Sequence, residues 1–173
     1  MTFDDILKER RRTREELLSY VNSLDEPQLN TQPRGHWSVL ETLHHLCLTD
    51  EQYSAVLKRL VDRAPDANGA PAPTELPIDP TAVAVPEDYS GIPAVPGTEP
   101  RSDIALSELL SMLDTLYHKS DTILAGAANR DLSESRFRHP VRGRLNFYEW
   151  LLLIVRHEAL HTTLMRRHRA LTQ

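Results

Sequence analysis

A single cysteine, Cys47, is all the thiol chemistry this chain has, so no internal disulfide can form, and a lone thiol suits a reducing cytoplasm. Long apolar runs are missing too. The longest, Trp150 to Val155, is far too short to span a bilayer, and the N-terminal stretch holds no apolar signal core. No charge of one sign dominates: the formal net charge is −5, and the basic stretch Lys8 to Arg14 runs straight into Glu15 and Glu16. That pattern describes a solvated helix face rather than a nucleic-acid surface. Strand alternation of any length is lacking, and so is an internal repeat. The expectation is a soluble, cytoplasmic protein with neither a nucleic-acid nor a membrane partner. Its 173 residues, 40% of them hydrophobic, suffice for one domain with a substantial core.

What is present is helical periodicity. Phe3, Ile6, Leu7, Leu17, Leu18, Val21 and Leu24 share one side of a helix over 3–24, but Glu9 to Arg14 contributes nothing apolar, which predicts the weakest inner contact there. Pro27, Pro33 and Gly35 mark Asp25 to Trp37 as a connecting loop. Ser38 and Glu41 form a capping box that starts a second helix, running to about Arg63 along a seam of Val39, Leu43, Leu46, Tyr53, Leu57 and Leu60. Between Ala64 and Arg101 lie nine of the twelve prolines and three of the six glycines, which predicts an irregular crossover. Leu76, Ile78, Val83, Val85, Tyr89, Ile92 and Val95 are too apolar for a free linker, so this segment is expected to lie extended over the bundle. Ser102 or Asp103 caps a third helix that carries Leu106 to Leu124 and ends near Gly126 to Asn129. Arg130 to Leu145 reads as a polar connection, and Asn146 with Glu149 starts the last helix. Four long amphipathic helices with one long crossover predict an all-α four-helix bundle.

The last helix carries the chemistry. Phe147, Trp150, Ile154, His157, His161, Leu164 and His168 recur at steps of three and four, so two histidines one turn apart interrupt an apolar seam. Such a pair can reach one metal ion. His157-Glu158-Ala159-Leu160-His161 is also literally H-E-x-x-H, the peptidase signature in which the glutamate is the general base. The surroundings argue against a peptidase. No Asp or Glu follows His161 to serve as a third ligand, Leu164 and Arg167 stand where an extended zincin motif needs Gly and His, and no strand edge is available to hold a substrate. A metal site without proteolysis still needs a third ligand, and His44, His45, His118, His139 and His168 are the candidates. The seam of the second helix faces away from both His44 and His45, so periodicity does not choose between them. Trp37 and Trp150 read as packing anchors, and Arg156, Arg166 and Arg167 as a solvated face near a helix C-terminus. His168 reads as a core or exposed residue rather than a ligand. His139 and Arg142 either line a pocket or sit in a surface turn.

Several short motifs in order are more specific than any one of them. Trp37-Ser38-Val39 leading to His45-Leu46, then His139-Pro140-Val141-Arg142-Gly143, then Asn146-Phe147-Tyr148-Glu149-Trp150 and H-x-x-x-H, resemble the DinB/YfiT-like superfamily over residues 5–63 and 103–170. The resemblance implies a four-helix bundle, commonly a homodimer, that holds a divalent metal, often nickel or zinc, on three histidines. Matched by position, these are His45, His157 and His161, with His44 a neighbour and Glu158 beside the site rather than a peptidase base. It further implies a metal-dependent enzyme acting on a small molecule: foremost a transferase using a low-molecular-weight thiol such as bacillithiol or mycothiol in detoxification or stress response, alternatively a small-molecule hydrolase or a non-enzymatic dimeric bundle. Cys47 is not needed for such chemistry, because the thiol would come from the cosubstrate.

Overall fold

The computed structural model describes residues 1–69, 73, 75–87, 94–132 and 134–170. Four long helices form the bundle: α1 (Phe3–Asn22), α3 (Val39–Arg63), α4 (Leu106–Ala127) and α5 (Phe147–Ala170). A short helix, α2 (Glu26–Asn30), and a two-stranded antiparallel hairpin, β1 (Arg136–His139) and β2 (Gly143–Asn146), complete the elements. α3 packs along both α4 and α5, and α1 packs along α5. One apolar cluster gathers Ile6, Leu57, Ile123, Phe147, Tyr148 and Trp150 to Leu153 at one end of the bundle, and a second gathers Leu17, Leu43, Leu46, Leu109 and Leu113 at the other. No helix of the described residues is long and apolar enough to cross a membrane.

The helix starts follow local chemistry. Thr2 with Asp5, Asp25 with Gln28, and Ser38 with Glu41 each exchange a reciprocal pair of side-chain to backbone hydrogen bonds, which satisfies amide groups that have no partner inside the helix. Asn146 and Glu149 do the same at the start of α5, at 2.8 and 2.9 Å.

Three local expectations are corrected. The connection 25–37 contains α2, because Asp25 caps it and Pro27 sits in its first turn, where a missing amide costs nothing. α4 has neither Ser102 nor Asp103 as its cap: Ala105 stands there with no side-chain bond, while the Asp103 carboxylate is taken by the Arg101 guanidinium at 2.7 and 2.9 Å. The connection 130–145 contains the hairpin, in which Phe137 pairs with Leu145 and His139 with Gly143. Gly143 at φ +80° supplies the left-handed residue that closes the turn. Its two strands of four residues are too short to show periodicity in a sequence that mixes arginines with single apolar residues.

Among the described residues of 64–101 there is no helix or strand element, only an isolated bridge from Asp66 to Arg130. Leu76 and Val83 are buried in the first apolar cluster, with Ile78 and Val85 packed against it. Val95 is exposed, and Tyr89 and Ile92 lie outside the described residues. Backbone groups of this stretch are held by side chains of the hairpin and α5. Asn146 Nδ2 donates to the Pro77 carbonyl at 2.6 Å, the Asp79 amide donates to Glu149 Oε1 at 3.0 Å, and Arg142 donates to the Ala82 carbonyl at 3.1 Å. Arg156, expected on a solvated face, donates to the Val83 carbonyl at 3.0 Å. The cap of α5 therefore also anchors the proline-rich stretch. Asn146→Ala removes both functions of a fully buried side chain and is expected to cost about 1–3 kcal/mol in urea unfolding, more than a cap alone.

Candidate metal centre

α5 brings His157 and His161 onto one face because they are four residues apart, and α3 brings His45 against them. One ring nitrogen from each lies within 4.8 Å of the others, and all three residues are buried. His157 Nε2 and His161 Nε2 are 3.2 Å apart. Metal–nitrogen bonds of about 2.1 Å subtending an angle between a right angle and a tetrahedral one would set two nitrogens about 3.0–3.4 Å apart, so the spacing suits a shared ion. The donor set fits a divalent cation on chemical grounds as well, since imidazole suits zinc, nickel and related ions.

Hydrogen bonding separates His45 from its neighbour. His45 Nδ1 lies 2.7 Å from the Thr98 carbonyl oxygen. A carbonyl only accepts, so Nδ1 carries the proton and Nε2 presents its lone pair, the usual arrangement of a ligating histidine with an outer partner. His44 is oriented the opposite way: its Nδ1 accepts the Arg101 backbone N–H at 2.8 Å, so its tautomer is reversed. Both residues are buried although the seam of α3 points elsewhere, because residues 98–101 cover the side of α3 that a bare bundle would leave open.

The environment keeps these rings neutral. Burial, reinforced by His161 and His45, holds His157 well below the ordinary histidine range. Burial and then His45 push His161 down to about 3, and burial lowers His45 against the opposing pull of the Thr98 bond. Neutral imidazole is the form that binds a metal. His139, held down to about 4 by burial and by Arg142, accepts the amides of Val141 and Arg142 at 3.1 and 3.2 Å and packs on Trp150 with centroids 5.1 Å apart.

These depressed values carry a stability consequence. Between the folded values near 3 to 4 and the ordinary value of 6.5, the unfolded chain binds more protons than the native one. The contribution of these histidines to the stability of the metal-free protein is therefore expected to be complete above about pH 6.5 and to fall toward pH 4, with the raised carboxyls of Asp50 and Glu158 acting in the opposite sense, checked by thermal melts across that range after chelation.

The other sequence candidates lie elsewhere. His118 is exposed and bonded to Asp114 on its own helix. His168 stacks on His36 with centroids 3.6 Å apart. Trp37 leans over the cluster, 4.8 Å from the His45 ring and nearly parallel to His161 at 6.5 Å, while Trp150 is 2% exposed in the core. Arg166 lies over the Tyr20 ring, in keeping with a surface position. Cys47 is buried and its thiol is pushed up to about 12, chiefly by that burial, which makes it a poor nucleophile. Glu158 faces α1: its carboxylate is gripped by the Nε and Nη2 of Arg14, and Arg14 also bonds Asp50 at 3.0 Å and the Leu113 carbonyl at 3.2 Å. The apolar gap between Glu9 and Arg14 is thus filled by a buried ion network.

Beside the histidines is a cavity of about 220 Å³. His45, His157 and Thr49 lie in its wall, together with Tyr53, Val56, Phe137 and Trp150. Two of its contributors escape sequence reasoning. Thr98 acts through a backbone carbonyl, which carries no residue-type signal, and Phe137 belongs to the hairpin.

The DinB superfamily profile matches residues 9–165, nearly the whole chain. The chain belongs to the DinB superfamily. The crystal structure of TT2238, described as a four-helix bundle protein, superposes with a TM-score of 0.64 at 23% identity, over 96% of this chain and 99% of that one. At that identity the likeness speaks for the four-helix-bundle fold alone. No curated protein matches.

Proposed function

We propose that this DinB superfamily chain binds one divalent ion, nickel or zinc, on His45, His157 and His161, and uses it to transfer a low-molecular-weight thiol of the bacillithiol or mycothiol type to a small electrophile. The observation that carries this reading is three buried imidazoles from two helices converging on one another, two of them, His45 and His157, in the wall of a cavity. A divalent ion there supplies Lewis acidity, which makes a thiol or water nucleophilic near neutral pH. The protein's own part is to hold three lone pairs toward one point, to fix the His45 tautomer through Thr98, and to keep bulk water back with Trp37 and Trp150.

In the hydrolase alternative Glu158, the base that the H-E-x-x-H pattern offers, is engaged by Arg14, so the attacking water would be activated by the ion alone. We also propose a cytoplasmic homodimer, the assembly common in the superfamily, which light scattering would test. The decisive assay is conjugation of monochlorobimane by the zinc- or nickel-loaded protein with bacillithiol, mycothiol, glutathione or cysteine in turn. Acceleration by one sugar-bearing thiol, abolished by chelation, is the expected result. A metal-loaded protein that accelerates none of them removes the transferase reading.

A further inference from the structure

Two adjacent histidines of α3 grip the end of the proline-rich stretch with opposite polarity. His45 Nδ1 donates to the Thr98 carbonyl at 2.7 Å, and His44 Nδ1 accepts the Arg101 amide at 2.8 Å. The first of these contacts depends on a turn. The Thr98 amide and hydroxyl both donate to the Val95 carbonyl, at 2.9 and 2.7 Å, which closes Val95-Pro96-Gly97-Thr98 into four residues. Pro96 fixes the first central residue, and Gly97, at φ +84°, supplies the left-handed second one, the pattern of a type II turn. Neighbouring side chains hold it in place. Gln52 of α3 donates to the Pro96 carbonyl at 3.4 Å, the Gly97 amide donates to Glu99 Oε2 at 2.7 Å, and Thr98 is 2% exposed.

The aim of the Thr98 carbonyl matters because a neutral imidazole can carry its proton on either nitrogen, and only the Nδ1 form leaves Nε2 a lone pair for an ion. No helix or strand lies among the described residues of 94–101 to direct that carbonyl, so its direction comes from the turn. On the reading of His45 as a metal ligand, we propose that Gly97 is a positioning residue for the metal centre: the turn it permits aims Thr98 at His45, and the ion in return holds the turn against α3. The coupling is reciprocal by necessity, since whatever the docked turn adds to metal affinity the metal adds to docking of the turn.

Wild type, Gly97→Val and Gly97→Asn test this. Valine is strained at a positive φ, whereas asparagine tolerates it, and the Gln52 amide that a Cβ would meet at 3.1 Å is the far end of a flexible side chain. The zinc dissociation constant, measured by competition with a chromophoric chelator, is expected to rise about 10–100-fold in Gly97→Val and to stay within about threefold of wild type in Gly97→Asn. Helical content by circular dichroism should match wild type in both. In the metal-free proteins, nitrogen-15 NMR is expected to show His45 protonated at Nδ1 in wild type and Gly97→Asn, and to show both tautomers in Gly97→Val. Zinc is expected to slow hydrogen exchange of the wild-type Arg101 amide by about the same 10–100-fold. That last measurement needs no variant and decides by itself if Gly97→Val fails to fold. Equal zinc affinity in wild type and Gly97→Val, or an Arg101 amide indifferent to zinc, overturns the proposal and leaves the metal reading standing. Equal losses in Gly97→Val and Gly97→Asn overturn it too, because the backbone conformation would then not be the cause. A wild type that binds no zinc, yet loses its fixed His45 tautomer in Gly97→Val, sinks the metal reading and supports the hold of the turn on His45.

Discussion

His161→Ala is expected to leave the purified protein with less than about a tenth of the wild-type metal, and His45→Ala and His157→Ala should behave alike. Removing even an outer hydrogen-bond partner of a ligand typically weakens metal binding about 10–100-fold, and removing one of three ligands takes away more. The pair left by His45→Ala sits on one turn of α5 and offers two nitrogens 3.2 Å apart, a chelate that water must complete. His44→Ala is the informative control. Its Nδ1 is occupied by the Arg101 amide and its ring is not part of the cluster, so metal content should stay at one ion per chain. Elemental analysis after purification without chelators or a histidine tag decides the matter. Wild-type protein devoid of metal, or a His161→Ala variant that keeps it, would show that the three rings serve packing only.

Arg14→Met is expected to destabilise the protein by about 3–5 kcal/mol, the usual consequence of removing one partner from a buried ion network. Arg14 ties α1 to Asp50 of α3, to the Leu113 carbonyl of α4 and to Glu158 of α5, and its side chain, Asp50 and Glu158 are only 10%, 13% and 7% exposed. Methionine fills part of the volume but leaves two carboxylates buried without a cation. Burial already pushes both carboxyls above their ordinary range, even with Arg14 present. In the variant that rise is larger. A carboxyl whose folded value lies above its unfolded one costs stability at high pH and recovers it as pH falls through the folded value. Arg14→Met should therefore lose most at neutral pH and part of the deficit should vanish toward pH 5. Adding Asp50→Asn and Glu158→Gln should recover stability at pH 7, because the neutral amides no longer need the guanidinium. Urea titrations at both pH values would measure this, and a loss below about 1 kcal/mol for Arg14→Met would mean that water, not Arg14, solvates the carboxylates.

The same network shows where a motif misleads. H-E-x-x-H places Glu158 next to a ligand in the chain, yet one residue along a helix is a rotation of about 100°, which turns the carboxylate away from the face shared by His157 and His161 and toward α1. The charged run Lys8 to Arg14 likewise reads as solvent-facing, although Thr13 and Arg14 are buried. Only the partner elements distinguish an arginine in water from one gripped by two carboxylates.

What the amino-acid order determined by itself was local. The four long helices, the capping pairs at Ser38 and Asn146, the one-turn spacing of His157 and His161, and the superfamily membership are written in residues close together in the chain. Periods of 3.6 residues and hydrogen bonds that span three residues need no knowledge of the fold. What the tertiary structure decided was everything that depends on a distant neighbour. It brought His45, which the resemblance already named where periodicity did not choose, against the pair on α5 and gave His44 the opposite tautomer, because Thr98 and Arg101, more than fifty residues away, lie along that side of α3. It folded residues 136–146 into a hairpin that closes one wall of the cavity, since strands this short are stabilised by the Trp150 and α5 surface they cover rather than by their own pattern. And it turned Glu158 from the base of a protease motif into one end of a buried ion network, because the charge that claims it comes from the opposite end of the chain.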